Sequence, residues 1–368
     1  MNRRSFLMSS IASSTALFGQ SSGDAIGTGM IGTGNRGAYL LKTVLGLPAA
    51  KVVAVCDIKP DRLDKAATAA AEHKPKTYTD YRRLLEDKDV EAVYIATPCD
   101  LHVEMAIAAL QAGKHVYCEK PVGITPESIG RLLEVARNSN KVFVPGQQMR
   151  SMERIRQTIE KIQKEGVLGK VIMVKAQRHA GDDLDHQGSS ADWFFDAKRS
   201  GDVIVEMAVH NLDLCNWVIG SRPARAGGFG GALLWKNDPP GRTSMDGYTL
   251  SYDYENDVKM SFTQVFFHPN GLPSNGQFVH VYGTEGAVDL NRATFYKRAR
   301  KAEPVVLVPE IKENNEAHMA AFFEAIRTGK QPPADLKIGA IAALTAIMGR
   351  EAIYQKRVFT WDEMGVNV

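Results

Sequence analysis

The chain has 368 residues, of which 44% are apolar and 24% charged, enough to bury a sizeable core and better suited to two domains than to one. Its formal net charge is only +3 and no dense basic run carries interleaved aromatics, which argues against nucleic acid as a partner. No apolar stretch reaches the roughly 18 residues of a membrane span, so no stable membrane insertion is expected.

Residues 1–23 differ in kind from the rest. Arg3-Arg4 stand before Phe6-Leu7, and a small, apolar, uncharged run, SSIASSTALFG, follows. This is the pattern of a twin-arginine export signal, a segment to be set apart from the fold. It predicts a periplasmic or otherwise exported protein. The twin-arginine route carries folded proteins, which suits an enzyme that acquires a cytoplasmic cofactor before it leaves the cell. No cysteine lies near the end of the segment to take a lipid.

Residues 24–150 alternate short β-branched runs with helical stretches. KVVAVCD, EAVYIAT, KHVYCEK and KVFVPG are the strand-like runs, and DRLDKAATAAAEH, YRRLLED, LHVEMAIAALQAG and PESIGRLLEVARNSN lie between them. Near-continuous apolar strands separated by helices predict an α/β unit, a doubly wound parallel sheet covered on both faces. At its start, IGTGMIGTGNRG contains the G-x-G-x-x-G spacing twice, as Gly27, Gly29, Gly32 and as Gly32, Gly34, Gly37. The second register is followed by a helix-forming run, AYLLKTVLG, whereas more glycine and threonine follow the first. Twenty residues after Gly37, Asp57 ends the strand KVVAVCD, where an acid would accept hydrogen bonds from an adenosine ribose. Gly32 to Gly37, with Asn35 and Arg36 between, is therefore the expected pyrophosphate turn. Asp57 favours NAD over NADP, since a carboxylate repels a 2′-phosphate; Lys59 and Arg62 nearby moderate the preference.

Residues 151–368 change rhythm. One helical segment, MERIRQTIEKIQKEGVLG, leads into successive strand-like runs from KVIMVKAQRH to ATFYKRA, and two helices, EAHMAAFFEAIRTG and IGAIAALTAIMGREAIYQ, follow. Strands in succession predict an α+β domain with an open, mostly antiparallel sheet. The cysteines Cys56, Cys99, Cys118 and Cys215 form no metal-ligand grouping and read as buried thiols. In the loop HAGDDLDH, His179, Asp182, Asp185 and His186 lack the spacing that fixes a metal site, so no metal is expected.

Four pieces together resemble the glucose–fructose oxidoreductase, inositol dehydrogenase and MocA family, Gfo/Idh/MocA. They are Gly32 to Gly37, Thr97-Pro98 with His102 following, Gly113-Lys-His-Val with Glu119-Lys120-Pro121, and GDVIVEMAVHNLD from Gly201 to Asp213. They occur in the right order and span nearly the whole mature chain. The resemblance implies a Rossmann domain followed by a substrate and oligomerisation domain, hydride exchange between a sugar or polyol and NAD, and a dimer or tetramer. It places Thr97, Pro98, His102, Glu119 and Lys120 around the cofactor.

Oxidation of a carbinol requires a base within reach of the hydroxyl proton. Lys120, at the carboxyl end of a parallel strand, is the expected catalytic group, and its ordinary alternative is a surface lysine paired with Glu119. In EMAVHNLD, Glu206, His210 and Asp213 would share one face of a helix. His210 is assigned as proton relay or second base and Glu206 as an orienter of a substrate hydroxyl or of the histidine; Asp213 is a substrate contact, or a structural cap or salt-bridge partner. The family usually carries aspartate where Glu206 stands and glycine where Ala208 stands. Gln148 would hold the cofactor amide and Arg150 the substrate, unless Arg150 is solvated. Arg178 and His179 line the sugar pocket or an exposed edge, and Trp193 offers a platform for a sugar ring or packs in the core.

The leading expectation is an exported NAD-dependent oxidoreductase of a sugar or glycoside hydroxyl. Its competitor is an NAD-dependent glycosidase that oxidises the sugar transiently, eliminates the aglycone, adds water and reduces again. A cofactor-bound sensor without turnover is a third class, opposed by Lys120 and His210.

Overall fold

Alternating buried runs and amphipathic stretches build the first layer as the periodicity requires. The computed structural model describes residues 25–181, 191–272, 276–314 and 316–368; residues 1–24 and most of the HAGDDLDH loop lie outside them. Strands Ile26–Ile31 (β1), Ala50–Cys56 (β2), Lys76–Tyr78 (β3), Ala92–Ile95 (β4), His115–Cys118 (β5) and Phe143–Pro145 (β6) form a parallel sheet in the order β3-β2-β1-β4-β5-β6. Helices Asn35–Leu45 (α1), Pro60–Ala69 (α2), Tyr81–Glu86 (α3), His102–Gln111 (α4) and Pro126–Arg137 (α5) connect them. This is the doubly wound dinucleotide order, in which the strand sequence reverses beside β1 and ligands bind past the carboxyl ends.

Gly27 and Gly29 belong to β1 and serve packing. A side chain at Gly27 would run into the carbonyl of Asp89, and one at Gly29 would meet the Leu84 side chain at 2.8 Å. They explain why a glycine-bearing strand imitates the phosphate motif without being it.

The second layer follows Glu153–Gln163 (α6), an amphipathic helix burying Ile155, Ile159 and Ile162. After Val171–Arg178 (β7) come four helices, Ala191–Phe194 (α7), Ala197–Ser200 (α8), Val203–Met207 (α9) and Val209–Ile219 (α10). Strands Pro223–Gly231 (β8), Gly247–Tyr254 (β9), Lys259–Val265 (β10), Gln277–Gly283 (β11), Gly286–Asp289 (β12), Thr294–Lys297 (β13) and Val305–Val306 (β14) complete the run. With Phe359–Thr360 (β15) they form one sheet in the order β14-β13-β12-β11-β7-β10-β9-β8-β15, antiparallel throughout except for the parallel β7–β10 pair. Alternation splits its faces. Val174, Ala176, Leu250, Tyr252, Met260, Phe262, Val279 and Val281 are buried on one, while Met173, Tyr282 and Phe229 are exposed on the other.

The last two helices join the layers. Leu336–Tyr354 (α12) packs on β8, α10 and β6, and is buried almost all round because it lies between two faces rather than on one. Ala317–Thr328 (α11) returns to the first sheet, placing Met319, Phe322 and Phe323 in one apolar cluster with Tyr94 and Tyr117. The chain beyond residue 150 thus also covers the sheet formed before it.

Candidate active site

A cavity of about 770 Å³ runs along the carboxyl ends of the parallel strands, from Asp57, Ile58, Arg62 and Tyr81 at one end to Lys120, Glu206 and His210 at the other. The glycine turn forms its floor. Gly32 has φ +83°, and a Cβ there would sit 2.7 Å from the Ala96 carbonyl oxygen; only glycine meets both conditions. A Cβ on Gly37 would run into the Gly32 carbonyl, so Gly37 lets α1 close on β1. Gly34 caps α1 without any side-chain cap, and a Cβ there would meet only the flexible guanidinium of Arg62, at 3.1 Å. The helix start is left open to the cavity with its first N–H groups free for a phosphate. The donors, the cavity and the acid at its far end fit NAD.

Asp57 does more than await a ribose. Its Oδ2 accepts from Thr33 N (2.8 Å) and Thr33 Oγ1 (3.1 Å), and its Oδ1 accepts from Lys59 N (2.9 Å). The acid therefore ties the glycine turn to the end of β2. Thr33 is a residue that sequence reasoning passed over; its signal was a hydroxyl between the first two motif glycines.

Arg36, in the first turn of α1, spans the cleft. Its Nε donates to Glu119 Oε1 and its Nη2 to Gln148 Oε1, both at 2.7 Å. Three expected cofactor residues are thereby brought together as a strut from the phosphate turn to the ends of β5 and β6. Glu119 and the neighbouring phenols hold the Arg36 guanidinium above its usual value despite burial. The Gln148 amide nitrogen stays available for a ligand carbonyl. His102 is 1% exposed, with Nδ1 2.7 Å from the Pro121 carbonyl oxygen and Nε2 2.9 Å from that of Thr97. It spaces the Thr97-Pro98 turn from the Lys120-Pro121 turn, and burial pushes its imidazole down against the pull of the two carbonyls.

At the inner end, Lys120 donates to the Glu206 backbone carbonyl at 2.7 Å and forms a close ion pair with the Glu206 carboxylate. The partner is Glu206 and not Glu119, which Arg36 engages. Glu206 and His210 lie on two successive helices, α9 and α10, which meet at Ala208; the expected single helix is broken there. Both side chains still reach the cavity. His210 Nδ1 is buried without a partner among the described residues. Burial first, then the charges of Lys120, Arg178 and Arg36, push the imidazole well below its usual value, so it is a neutral base beside a cation.

Asp202, ahead of α9, sets that corner. It adopts φ 79°, ψ 157°, a conformation rare outside glycine. Its Oδ1 accepts from Val203 N (2.8 Å), Met245 N (2.9 Å) and Tyr248 Oη (2.6 Å), and its Oδ2 from Tyr354 Oη (2.6 Å). Burial pushes its carboxyl up and these donors oppose the shift. Asp202 directly follows Gly201 in the motif, and that position was its only sequence signal.

Four residues expected against the substrate, Arg150, Arg178, His179 and Asp213, do not line the cavity. Arg150 and Asp213 turn to each other, with Arg150 Nε to Asp213 Oδ2 at 2.9 Å and Nη2 to Oδ1 at 2.8 Å; neither lines the cavity. A carboxylate this deeply buried requires such a partner, and Trp217 covers the guanidinium at 4.7 Å. His179 also leaves the cleft. Its Nε2 lies 3.1 Å from Thr263 Oγ1, because successive residues of β7 alternate sides and Arg178 takes the inward one. Trp193 does line the cavity. Asp182, Asp185 and His186 lie outside the described residues, and among the described residues no group of three or more His, Cys, Asp or Glu could hold a metal.

Residues 26–147 match the model of the oxidoreductase family with an NAD-binding Rossmann fold, and residues 156–289 match the GFO/IDH/MocA C-terminal domain. An inositol 2-dehydrogenase of Salmonella typhimurium is 32% identical over 198 residues, 53% of each chain. A glycosyl hydrolase family 109 protein of Stenotrophomonas maltophilia is 42% identical over 139 residues, 34% of this chain and 31% of the relative. Levoglucosan dehydrogenase, solved with NADH and levoglucosan, superposes with a TM-score of 0.76 at 20% identity, over 91% of this chain and 99% of that one. With both halves of the chain matched in order, this protein belongs to the Gfo/Idh/MocA oxidoreductase family and carries an NAD-binding Rossmann domain.

Proposed function

We propose that the protein oxidises a secondary hydroxyl of a cyclic sugar or glycoside with NAD as hydride acceptor. The observation that carries the reading is the Lys120–Glu206 pair beside a neutral His210 at the inner end of the dinucleotide cleft. NAD supplies the hydride-accepting carbon of its nicotinamide. Arg36, Glu119 and Gln148 fix the cleft wall, Lys120 donates a hydrogen bond to the substrate oxygen, and Glu206 keeps the ammonium aimed. His210, neutral and lining the cleft, takes the hydroxyl proton. Trp193 offers an apolar face to the ring. The inositol and levoglucosan dehydrogenases among the similar proteins support a cyclic polyol as the substrate class.

The test is NADH formation with a panel of cyclic polyols and glycosides. Lys120→Met is expected to lower kcat by about 10³-fold or more while NAD still binds, in keeping with loss of a positioned proton-transfer group. Full turnover by a folded Lys120→Met protein would refute the assignment.

A second reading, transient oxidation followed by aglycone elimination, draws on His210 as a second base and on the family 109 relative. Release of aglycone from an aryl glycoside, with no added NAD and no net NADH, would establish it over the simple dehydrogenase. Arg3-Arg4 support export with NAD bound, which mass spectrometry of protein purified from the periplasm would reveal as co-purified nicotinamide. The exposed face of the second sheet, with Met173, Tyr282 and Phe229, supports a homo-oligomer.

A further inference from the structure

We propose that Arg36 is a positioning residue for the reaction: by holding Glu119 it keeps that carboxylate from capturing Lys120, and so leaves the lysine paired with Glu206 in the cleft. The proposal rests on the oxidoreductase reading above and adds how its lysine is kept in place.

Arg36, Glu119, Lys120 and Glu206 all line the cavity. They pair as Arg36 with Glu119, Nε to Oε1 at 2.7 Å, and as Lys120 with Glu206. A second pairing is close at hand. Glu119 directly precedes Lys120, and its Oε2 accepts from the Lys120 backbone N–H at 3.2 Å, so the carboxylate lies within the span of that lysine's own flexible stem. It has little room to move elsewhere. Its side chain is 6% exposed, and it is pressed against Gly146, where a Cβ would sit 2.8 Å from Oε2. Among the described residues Arg36 is the cation that pairs with it. The guanidinium is held further by Nη2 donating to Gln148 Oε1 at 2.7 Å and by the Tyr39 ring 5.0 Å away.

A carboxylate this deeply buried is strongly unfavourable once its partner cation is taken away. Without Arg36, the cation nearest to hand along the chain is the ammonium of Lys120, and the Glu119 side chain, at 6% exposure against 14% for Glu206, has more to gain from it. Capture by Glu119 draws the ammonium away from Glu206 and from the substrate oxygen. An uncharged residue at position 36 therefore moves Lys120, whereas one that keeps a positive charge does not. Arg36 stands in the first turn of α1, the helix whose start faces the phosphate, so the turn that takes the cofactor and the lysine at the end of β5 form one connected unit.

Arg36→Met, Arg36→Lys, Glu119→Gln and the double variant Arg36→Met/Glu119→Gln are compared as folded, NAD-loaded full chains. Arg36→Met is expected to lower kcat by about 10²-fold, the scale of a misplaced reacting group, with a smaller change in the KM for the sugar, and Arg36→Lys to keep most of the rate. In the double variant the neutral amide no longer competes for the ammonium, so kcat should recover by about 10-fold or more over Arg36→Met. An unchanged kcat in Arg36→Met, or a double variant no faster than it, overturns the proposal, since a merely structural role gives no rescue. Should Arg36→Met fail to fold, the double variant is compared with Glu119→Gln alone: rates within about 3-fold of each other are expected, and a larger further loss overturns the proposal. Crystal structures with and without NAD read the pairing apart from turnover. Lys120 Nζ against Glu119 in Arg36→Met is the expected result, and Lys120 still on Glu206 overturns it. Exchanged pairing in a protein that forms no NADH from any cyclic polyol or glycoside would overturn the oxidoreductase reading and leave the role of Arg36 toward Lys120 standing.

Discussion

His210 lines the cleft, its Nδ1 is buried with no partner among the described residues, and the charges of Lys120, Arg178 and Arg36 act on its ring. Its imidazole is pushed well below the ordinary value of 6.5 by burial first and by these cations second. Two consequences have defined signs. A base that stays neutral keeps working in acid, so kcat/KM is expected to hold as pH falls through 6.5; a fall with an apparent pKa near 6.5 would contradict the assignment. The unfolded chain, whose histidine titrates normally, binds a proton in that range while the folded chain does not. Stability from this group is therefore complete above about pH 6.5 and is lost as pH falls, at about 1.4 kcal/mol per pH unit, until the folded value is reached. Urea unfolding between pH 7.5 and 4.5 measures the slope, and His210→Gln should remove one proton's worth of it. His102, also pushed down by burial, leaves a remaining slope in the variant.

At the scale of elements, α9 delivers Glu206 to Lys120, and Asp202 sets where α9 begins. Asp202→Ala would leave Tyr354 Oη and the Met245 N–H without their acceptor and Tyr248 Oη with only the Met245 carbonyl, 3.1 Å away, a loss of about 3–5 kcal/mol by analogy with broken buried networks. If the knot positions Glu206, kcat falls more than NAD affinity does in protein kept folded at low temperature; equal losses in both would make its role purely structural. The glycines separate in the same way. Gly29→Ala meets Leu84 in the packed interior and should lower stability with little effect on NAD affinity in the folded fraction. Gly34→Ala meets only the Arg62 side chain, so it should fold normally and bind NAD about 10-fold or more weakly, since the pyrophosphate approaches the backbone there. The sequence pattern made this pair distinguishable, because the helix after Gly37 and the acid at Asp57 selected the register. The alternation of strands and helices was likewise legible, and Lys120 and His210, singled out in the sequence, both line the cavity. What was not legible depended on contacts remote in sequence. Arg150 meets Asp213 across 63 residues, and Asp202 meets Tyr354 across 152. The side taken by His179 required knowing where β7 begins its alternation. The break at Ala208 escaped because EMAVHNLD has continuous helical spacing and neither proline nor glycine to interrupt it.

Over the whole molecule, the two layers are linked by more than the cleft between them. Tyr94 of β4 and Tyr117 of β5 stack at 4.6 Å in the centre of the parallel sheet, and Phe322 of α11 packs against both, at 5.5 Å and 6.0 Å. The nucleotide-binding sheet thus receives part of its cover from a helix more than 170 residues beyond its last strand. Met319, Phe322 and Phe323 are each no more than 1% exposed. Burial of a large apolar side chain contributes about 1.5–3 kcal/mol, so the three together reach the scale of a domain's whole stability, about 5–15 kcal/mol. A chain of residues 25–150 alone would expose the stacked tyrosines and is expected to aggregate or to bind NAD far more weakly than the full chain. In the full chain, Phe322→Ala should lower stability by about 3–5 kcal/mol, with fluorescence and NAD release reporting the same urea midpoint because the helix serves the cofactor-binding sheet. Folding of residues 25–150 as a monomer with full-chain NAD affinity would show that α11 is dispensable cover; two separate midpoints in the variant would show that it belongs energetically to the second sheet.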